Sequence, residues 1–257
     1  MAILSSMLQL WYWALLLVLH CLISVLRHVK KLILFLNPGR LSTNKTGVRE
    51  LEEDPKSVVP TEAHEDYAQF LALCKMPDKS NLIFVSLALH SSTQKVSGIA
   101  GIGLCTWSPS RSTLRMRPRF WSITDTVHSG QARRQGSLFQ DYSEISESEI
   151  KLALDDALGP MIARYQTIVL VGHHIGSTLV ALNRFWLPPS QSILILDTCL
   201  IWQYHFESSA QVSLQTALLA TPGISYDPHQ FDVEGNEARY TIDLLKALGK
   251  LALKRYK

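Results

Sequence analysis

The fold of this chain is decided by the stretch from Val169 to Leu179, which reads VLVGHHIGSTL. Residues Thr167–Val171 form an almost wholly apolar run that ends at a glycine, and this pattern predicts a buried strand. Residues Ile175–Phe185 follow at once with the pattern of a helix. A buried strand that passes through a turn into a helix indicates an α/β fold.

Three strands are expected before this stretch and one after it. Leu82–Leu89 is a continuous apolar run and predicts a second buried strand. Further strands are expected at Gly98–Trp107, at Phe120–Thr124 and at Ser192–Leu196, the last of which leads into Asp197. Antiparallel strands therefore come first, and strands that alternate with helices come second.

Three further helices are expected. A short helix is predicted at Ala63–Cys74, where apolar residues recur with helical spacing. Ser146–Tyr165 begins with a capping-box pattern, and Pro160 is expected to kink or end that helix. Glu234–Leu248 has a strong helical pattern and is followed by a basic tail, Lys250–Lys257.

Composition limits the classes of protein to which this chain can belong. The chain has 257 residues, enough for one domain of ordinary size with an appendage. Hydrophobic residues make up 47% and charged residues 18%, which indicates a globular chain rather than a disordered one. The net charge of +3 lacks the strong basic excess that is typical of a nucleic-acid binder.

The cysteines indicate a reducing compartment. There are four, and no two have the C-x-x-C spacing of a metal or redox motif. We therefore expect reduced, mostly buried thiols and no metal site. The four residues are Cys21, Cys74, Cys105 and Cys199.

The N-terminal region, residues 1–36, is predicted to be a transmembrane anchor with a basic flank. Met7–Leu26 has the length of a bilayer span and contains no Asp, Glu, Lys or Arg. Basic residues follow the apolar run instead of preceding it, which favours an uncleaved anchor over a signal peptide. The positive-inside rule then leaves the C-terminal domain in the cytosol, so that the glycosylation pattern at Asn44 stays silent. The alternative is a buried or interfacial helix.

A linker with a short helix is expected at residues 37–77, since prolines and mixed charges replace the apolar run. The remaining domain spans residues 78–257. It contains every predicted strand and the two long helices.

Three motifs in this domain resemble those of a known family. The first predicted strand contains Ser86-Leu87-Ala88-Leu89-His90, and the middle stretch contains Gly172 and His173. The last motif keeps Gly235, Asn236, Ala238, Tyr240 and Thr241. In order and spacing these motifs resemble a fungal family of DEDDh 3′–5′ exonuclease-like proteins over roughly residues 81–248. The resemblance implies an RNase H-like three-layer α/β fold with a mixed central sheet.

The resemblance also implies a two-metal hydrolytic site, in which four carboxylates hold two divalent ions. In this chain Ala88, His90 and Thr178 stand at three of the carboxylate positions, Glu237 stands at the fourth, and Asp232 falls near the position of the family's histidine. One surviving carboxylate cannot position two divalent ions. We therefore expect a degenerate, inactive member with no metal cofactor. The alternative is an active exonuclease with an atypical site, which would need Mg²⁺ or Mn²⁺.

A second alternative is a hydrolase. The turn Gly172-His173-His174-Ile175-Gly176 follows a strand and opens a helix, as the nucleophile elbow G-x-S-x-G does. His174 stands where the nucleophile belongs, Asp197 would be the acid, and His205 or His229 would complete a triad. Adjacent histidines such as His173 and His174 cannot both face one site on a regular element.

The remaining alternatives concern partners. Arg111, Arg115, Arg117 and Arg119 alternate beside Phe120 and Trp121, a pattern that favours binding of single-stranded nucleic acid, with Arg115, Arg117, Arg119 and Trp121 as contacts. A solvated basic loop gives the same pattern. Basic residues at 133–134 and 254–257 could instead face an anionic membrane. A tethered scaffold for a protein partner is also open, and the oligomeric state is left open.

Overall fold

A computed structural model of the chain describes residues 59–91, 98–110, 116–124, 141–189, 193–231 and 235–255. The predicted anchor, the glycosylation pattern and most of the predicted linker lie outside the described residues. Within the described ranges, no helix is both long and apolar enough to cross a membrane.

The described residues form an α/β fold built on a mixed sheet, as the sequence predicts, but the sheet has six strands where five were expected. The strand order is β4-β3-β2-β1-β5-β6. Strands β1, β2 and β3 are antiparallel neighbours, whereas β5 and β6 run parallel to β1 on its other side. The strands are β1 Leu82–Ser91, β2 Ile99–Trp107, β3 Arg117–Ile123, β4 Asp141–Ile145, β5 Thr167–Gly172 and β6 Ile193–Asp197.

Seven α-helices and one 3₁₀ turn (Glu147–Glu149) lie in the described part of the chain. The helix expected at Ala63–Cys74 is present. Pro160 lies inside the second helix and does not end it. Residues 250–255 of the predicted basic tail continue the last helix, because Ala252 extends its buried face. The helices are α1 Thr61–Lys75, α2 Ile150–Arg164, α3 Ile175–Leu182, α4 Thr198–His205, α5 Leu214–Ala220, α6 Pro228–Phe231 and α7 Asn236–Arg255.

The helices cover both faces of the sheet and give three layers. Successive side chains of a strand point to opposite faces. On β1, Phe84 and Ala88 therefore pack into one core with residues of α1, α4, α5 and α7. Val85 and Leu87 pack into a second core with residues of α2 and α3. We call the side of the sheet that carries the first core the α7 face and the side that carries the second core the α2 face.

Candidate functional site

The family's first-strand positions lie at the carboxyl end of β1. Ala88 pairs with Gly103 of β2, and His90 pairs with Gly101. Both residues are half-buried, and the alternation of β1 puts both side chains on the α7 face. Ala88 contacts the apolar core there, so that a methyl group occupies the strand position of the family's first carboxylate.

The last family motif is brought to the same place by a close backbone approach. A Cβ on Gly103 would lie 2.7 Å from the carbonyl oxygen of Gly235, so the start of α7 rests directly on β2. Glu237 belongs to the first turn of α7. Burial raises the pKa of Glu237 above its usual range, and the nearby His90 opposes that shift by favouring the carboxylate. His90 and Glu237 are therefore brought together, as the resemblance implies.

Of the other two family positions, only Thr178 belongs to the described residues. Thr178 is half-buried on α3, whose buried residue Ile175 packs into the core of the α2 face. Asp232 lies outside the described residues. The described part of the site thus offers one carboxyl and one imidazole, and imidazole suits softer metals than Mg²⁺. This donor set does not fit the two hard cations of the family's chemistry.

The raised pKa of Glu237 predicts how stability responds to pH. A carboxyl whose pKa is higher in the folded state contributes stability at low pH, and this contribution is lost as the pH rises through the folded pKa. Replacing Glu237 with Gln should therefore raise the melting temperature at about pH 8 and leave it nearly unchanged at about pH 4. Thermal unfolding of the full-length chain at the two pH values measures this difference.

Glu149→Gln is the matched control with the opposite sign. Hydrogen bonds from Ser146 lower the pKa of Glu149, so its carboxylate stabilises the fold above its unfolded pKa. The Glu149 variant should lose a little stability at the higher pH. A Glu237 variant that loses stability there as well would contradict the burial assigned to this carboxyl.

The turn between β5 and α3 has the tight geometry of an elbow. His174 adopts a left-handed conformation with φ 58° and ψ 45°. A Cβ on Gly172 would lie 2.5 Å from the Ile175 side chain, so only glycine fits at that position. The backbone of this turn therefore resembles a nucleophile elbow, as the sequence pattern indicates.

The triad of the hydrolase alternative is not assembled. The Asp197 carboxylate accepts hydrogen bonds from the backbone N–H groups of His174, Ile175 and Cys199 at 2.8–3.0 Å, so it caps α3 and α4. The Nδ1 of His205 lies 3.3 Å from the Tyr67 hydroxyl. Asp197 thus serves as a structural cap, and the acid of the proposed triad is already engaged by backbone.

The same turn gathers a cluster that the sequence did not reveal. His173, His174 and Cys199 converge on the carbonyl oxygen of Val212, which lies in the loop before α5. The Nε2 atoms lie 2.8 and 3.1 Å from this oxygen, and the Cys199 Sγ lies 3.8 Å from it. We name these four residues the His-Cys cluster. The left-handed backbone of His174 turns its ring to the side of His173, which a regular element would forbid.

Burial favours the neutral forms of His173 and Cys199. Burial lowers the pKa of His173, and the neighbouring His174 lowers it further. Burial also raises the pKa of the Cys199 thiol. Cys105 is likewise buried and Cys74 is half-buried, which agrees with the expected thiols. Folding brings Cys199 beside His173 and His174, with candidate ligand atoms within 4.8 Å of one another, although the three residues come from distant segments.

The predicted nucleic-acid contacts are only partly available. Arg117 is exposed, and Arg119 forms an exposed ion pair with Asp141 at 3.2 Å. Trp121 is only 8% exposed and packs into the core of the α2 face, so its ring is not free to stack on a base. Arg115 lies outside the described residues. Because Arg119 and Trp121 share a strand face, the basic stretch lies on the side of the sheet opposite Ala88 and His90.

Comparison with known proteins finds a likeness in structure but none in sequence. No family model matches the chain, and no curated protein matches its sequence. The X-ray structure of the RNase domain of the yeast Pop2 protein is similar over 79% of this chain and 90% of that chain, with 11% sequence identity and a TM-score of 0.35. At this level the likeness carries no inference about the chemistry of this chain.

Proposed function

We propose that residues 78–257 form an RNase H-like, degenerate DEDDh exonuclease-like domain that no longer hydrolyses nucleic acid. The motif order supports this proposal. The first motif lies on the strand at the centre of the sheet, the middle motif follows β5, and the last motif opens α7. Three antiparallel strands, followed by strands that alternate with helices, are the arrangement that the resemblance implies.

The loss of activity is inferred from the metal-ligand atoms that are available at the end of β1. Ala88 provides no ligand atom, His90 provides a nitrogen, and Glu237 provides the one carboxyl of the described positions. Two-metal hydrolysis needs carboxylates that bridge and orient both ions. We expect full-length protein to leave labelled single-stranded RNA and DNA intact in Mg²⁺ or Mn²⁺, with shortening of the labelled strands as the measured quantity.

A membrane tether and nucleic-acid binding are further parts of the proposal. The apolar segment Met7–Leu26 supports the tether, and the exposed Arg117 with the partly exposed Arg119 supports contacts to a phosphate backbone. This binding would lie on the α2 face and would not use the Ala88 site. The alternative partner is a protein, for which the domain would be a scaffold.

Charge reversal tests the binding surface. Replacing Arg115, Arg117 and Arg119 with Glu should weaken binding of a labelled single-stranded RNA by about tenfold or more, since each lost cation removes a phosphate contact. Fluorescence anisotropy at two salt concentrations measures both affinity and salt dependence. Arg164→Glu and Arg184→Glu reverse exposed charges elsewhere and serve as the control. Unchanged RNA binding by the triple variant would direct the search to protein partners.

A further inference from the structure

The His-Cys cluster lies where α/β sheets commonly carry sites. His173 and His174 follow β5, and Cys199 follows β6, so all three stand at the carboxyl ends of neighbouring parallel strands. Val212 belongs to a loop that folds back over these ends. Candidate ligand atoms of the three side chains lie within 4.8 Å of one another.

The hydrogen bonds beside the cluster suit a metal-bound His173. The Thr198 Oγ1 lies 3.1 Å from the carbonyl oxygen of Gly172 and 3.0 Å from the Nδ1 of His173. With its hydroxyl donated to Gly172, Thr198 accepts the Nδ1–H of His173, and the lone pair of Nε2 is then available to a metal ion.

The carbonyl oxygen of Val212 lies against the same ring. In the metal-free chain the Nε2–H of His173 donates to this oxygen at 2.8 Å, since a carbonyl oxygen only accepts. A metal ion at this place would use the lone pairs of Nε2 and of the carbonyl oxygen, and the ring proton would then be held on Nδ1.

The surroundings of the Val212 carbonyl also favour a metal ion. His174 Nε2 and Cys199 Sγ also approach the oxygen of Val212, at 3.1 and 3.8 Å. Three hydrogen-bond donors would exceed the two lone pairs of one carbonyl. Around a tetrahedral zinc ion, nitrogen and oxygen ligands at about 2.0–2.1 Å and sulfur at about 2.3 Å lie about 3–4 Å from each other. The three distances to the Val212 oxygen agree with this spacing within a few tenths of an ångström.

We propose that His173, His174, Cys199 and the Val212 carbonyl bind a zinc ion. Two imidazoles and a thiolate favour a borderline-soft divalent ion over Mg²⁺ or Ca²⁺. Zinc replaces the thiol proton of Cys199, which passes to the solvent, and the two histidines bind as neutral rings. Thr198 holds the Nδ1–H of His173, as outer partners of zinc-bound histidines commonly do. Four protein ligands leave no open position, so the ion stabilises structure and fastens the loop before α5 to the sheet.

Cobalt substitution of the full-length chain tests this site. One equivalent of Co²⁺ should give a thiolate-to-cobalt charge-transfer band in the near ultraviolet and the visible absorption of tetrahedral cobalt, and Zn²⁺ should abolish both. Cys199→Ser should remove the charge-transfer band and weaken Zn²⁺ binding by more than about 100-fold. Cys74→Ser and Cys21→Ser are the matched controls and should keep the band.

The Thr198→Val variant separates the positioning role from the ligand role. It should keep the band but bind Zn²⁺ about 10–100-fold more weakly, because His173 loses the partner that orients its ring. Absence of a charge-transfer band in the wild-type chain would overturn the proposal and needs no variant that must fold. A band that survives Cys199→Ser would also overturn it, since the thiolate would then come from elsewhere.

Discussion

Asp197→Ala is expected to destabilise the domain by about 4.5 kcal/mol or more, since hydrogen bonds to a charged acceptor contribute about 1.5–3 kcal/mol each and three backbone donors would lose theirs. The carboxylate is almost fully buried and accepts from the N–H groups of His174, Ile175 and Cys199. Water cannot easily replace it. The backbone N–H of Asp197 also donates to Asp66 of α1 at 2.8 Å, so the same turn fixes a third helix.

Urea unfolding of the full-length chain measures this effect. Asp197→Asn should fall between the wild type and the alanine variant, because one amide oxygen still accepts while the amide nitrogen faces a donor. Asp78→Ala is the matched control, since Asp78 accepts a comparable backbone bond from Ser80 at an exposed site. An Asp197→Ala variant as stable as the Asp78→Ala variant would contradict the capping role.

Gly103→Ala is expected to destabilise the domain by about 1–3 kcal/mol or more, as overpacking of a tight contact does. The new methyl group would lie 2.7 Å from the carbonyl oxygen and 3.1 Å from the Cα of Gly235. Both obstacles are backbone, so relief requires the start of α7 to move away from the sheet. That movement would also separate Glu237 from His90.

Gly159→Ala is the matched control, at a glycine with open space around it. Gly159 lies inside α2, and an added Cβ there would meet nothing within 4 Å. Alanine is the better helix former, but a Cβ on the residue before Pro160 disfavours the helical conformation, so this variant should change stability by less than about 1 kcal/mol. If the Gly103 variant matched it in thermal and urea unfolding, the close approach of α7 to β2 would be wrong.

The sequence was sufficient for the parts of the fold with strong periodicity. The apolar runs that became β1, β2, β5 and β6 and the pattern of α7 predicted the α/β class and the place of the family motifs. Strand β4 was missed because Asp141–Ile145 is a short, half-exposed edge strand without an apolar run. Helices α4, α5 and α6 were missed because they are short and depend on caps, such as Asp197, whose role requires tertiary contacts.

Some residues of the candidate sites could likewise be predicted from the sequence, and others could not. Ala88, His90 and Glu237 could be assigned from the motifs, since strand alternation and the first turn of a helix set their positions. The burial of Trp121 could not be predicted from the sequence, because pairing with β2 decides which face of the sheet its side chain occupies. The His-Cys cluster had no sequence signal at all. It depends on a left-handed residue at His174 and on the return of the loop at Val212, which no local spacing encodes.

The central claim is that the site at the end of β1 cannot support two-metal hydrolysis. It is tested most directly by incubating full-length wild type and a Glu237→Gln variant, purified in parallel, with 3′- and 5′-labelled single-stranded RNA and DNA in Mg²⁺ or Mn²⁺. We expect no shortening by either protein beyond a blank preparation. Metal-dependent shortening from the 3′ end by the wild type that disappears in the Glu237 variant would contradict the account, and would mean that His90 and Glu237 belong to a working site of unusual composition.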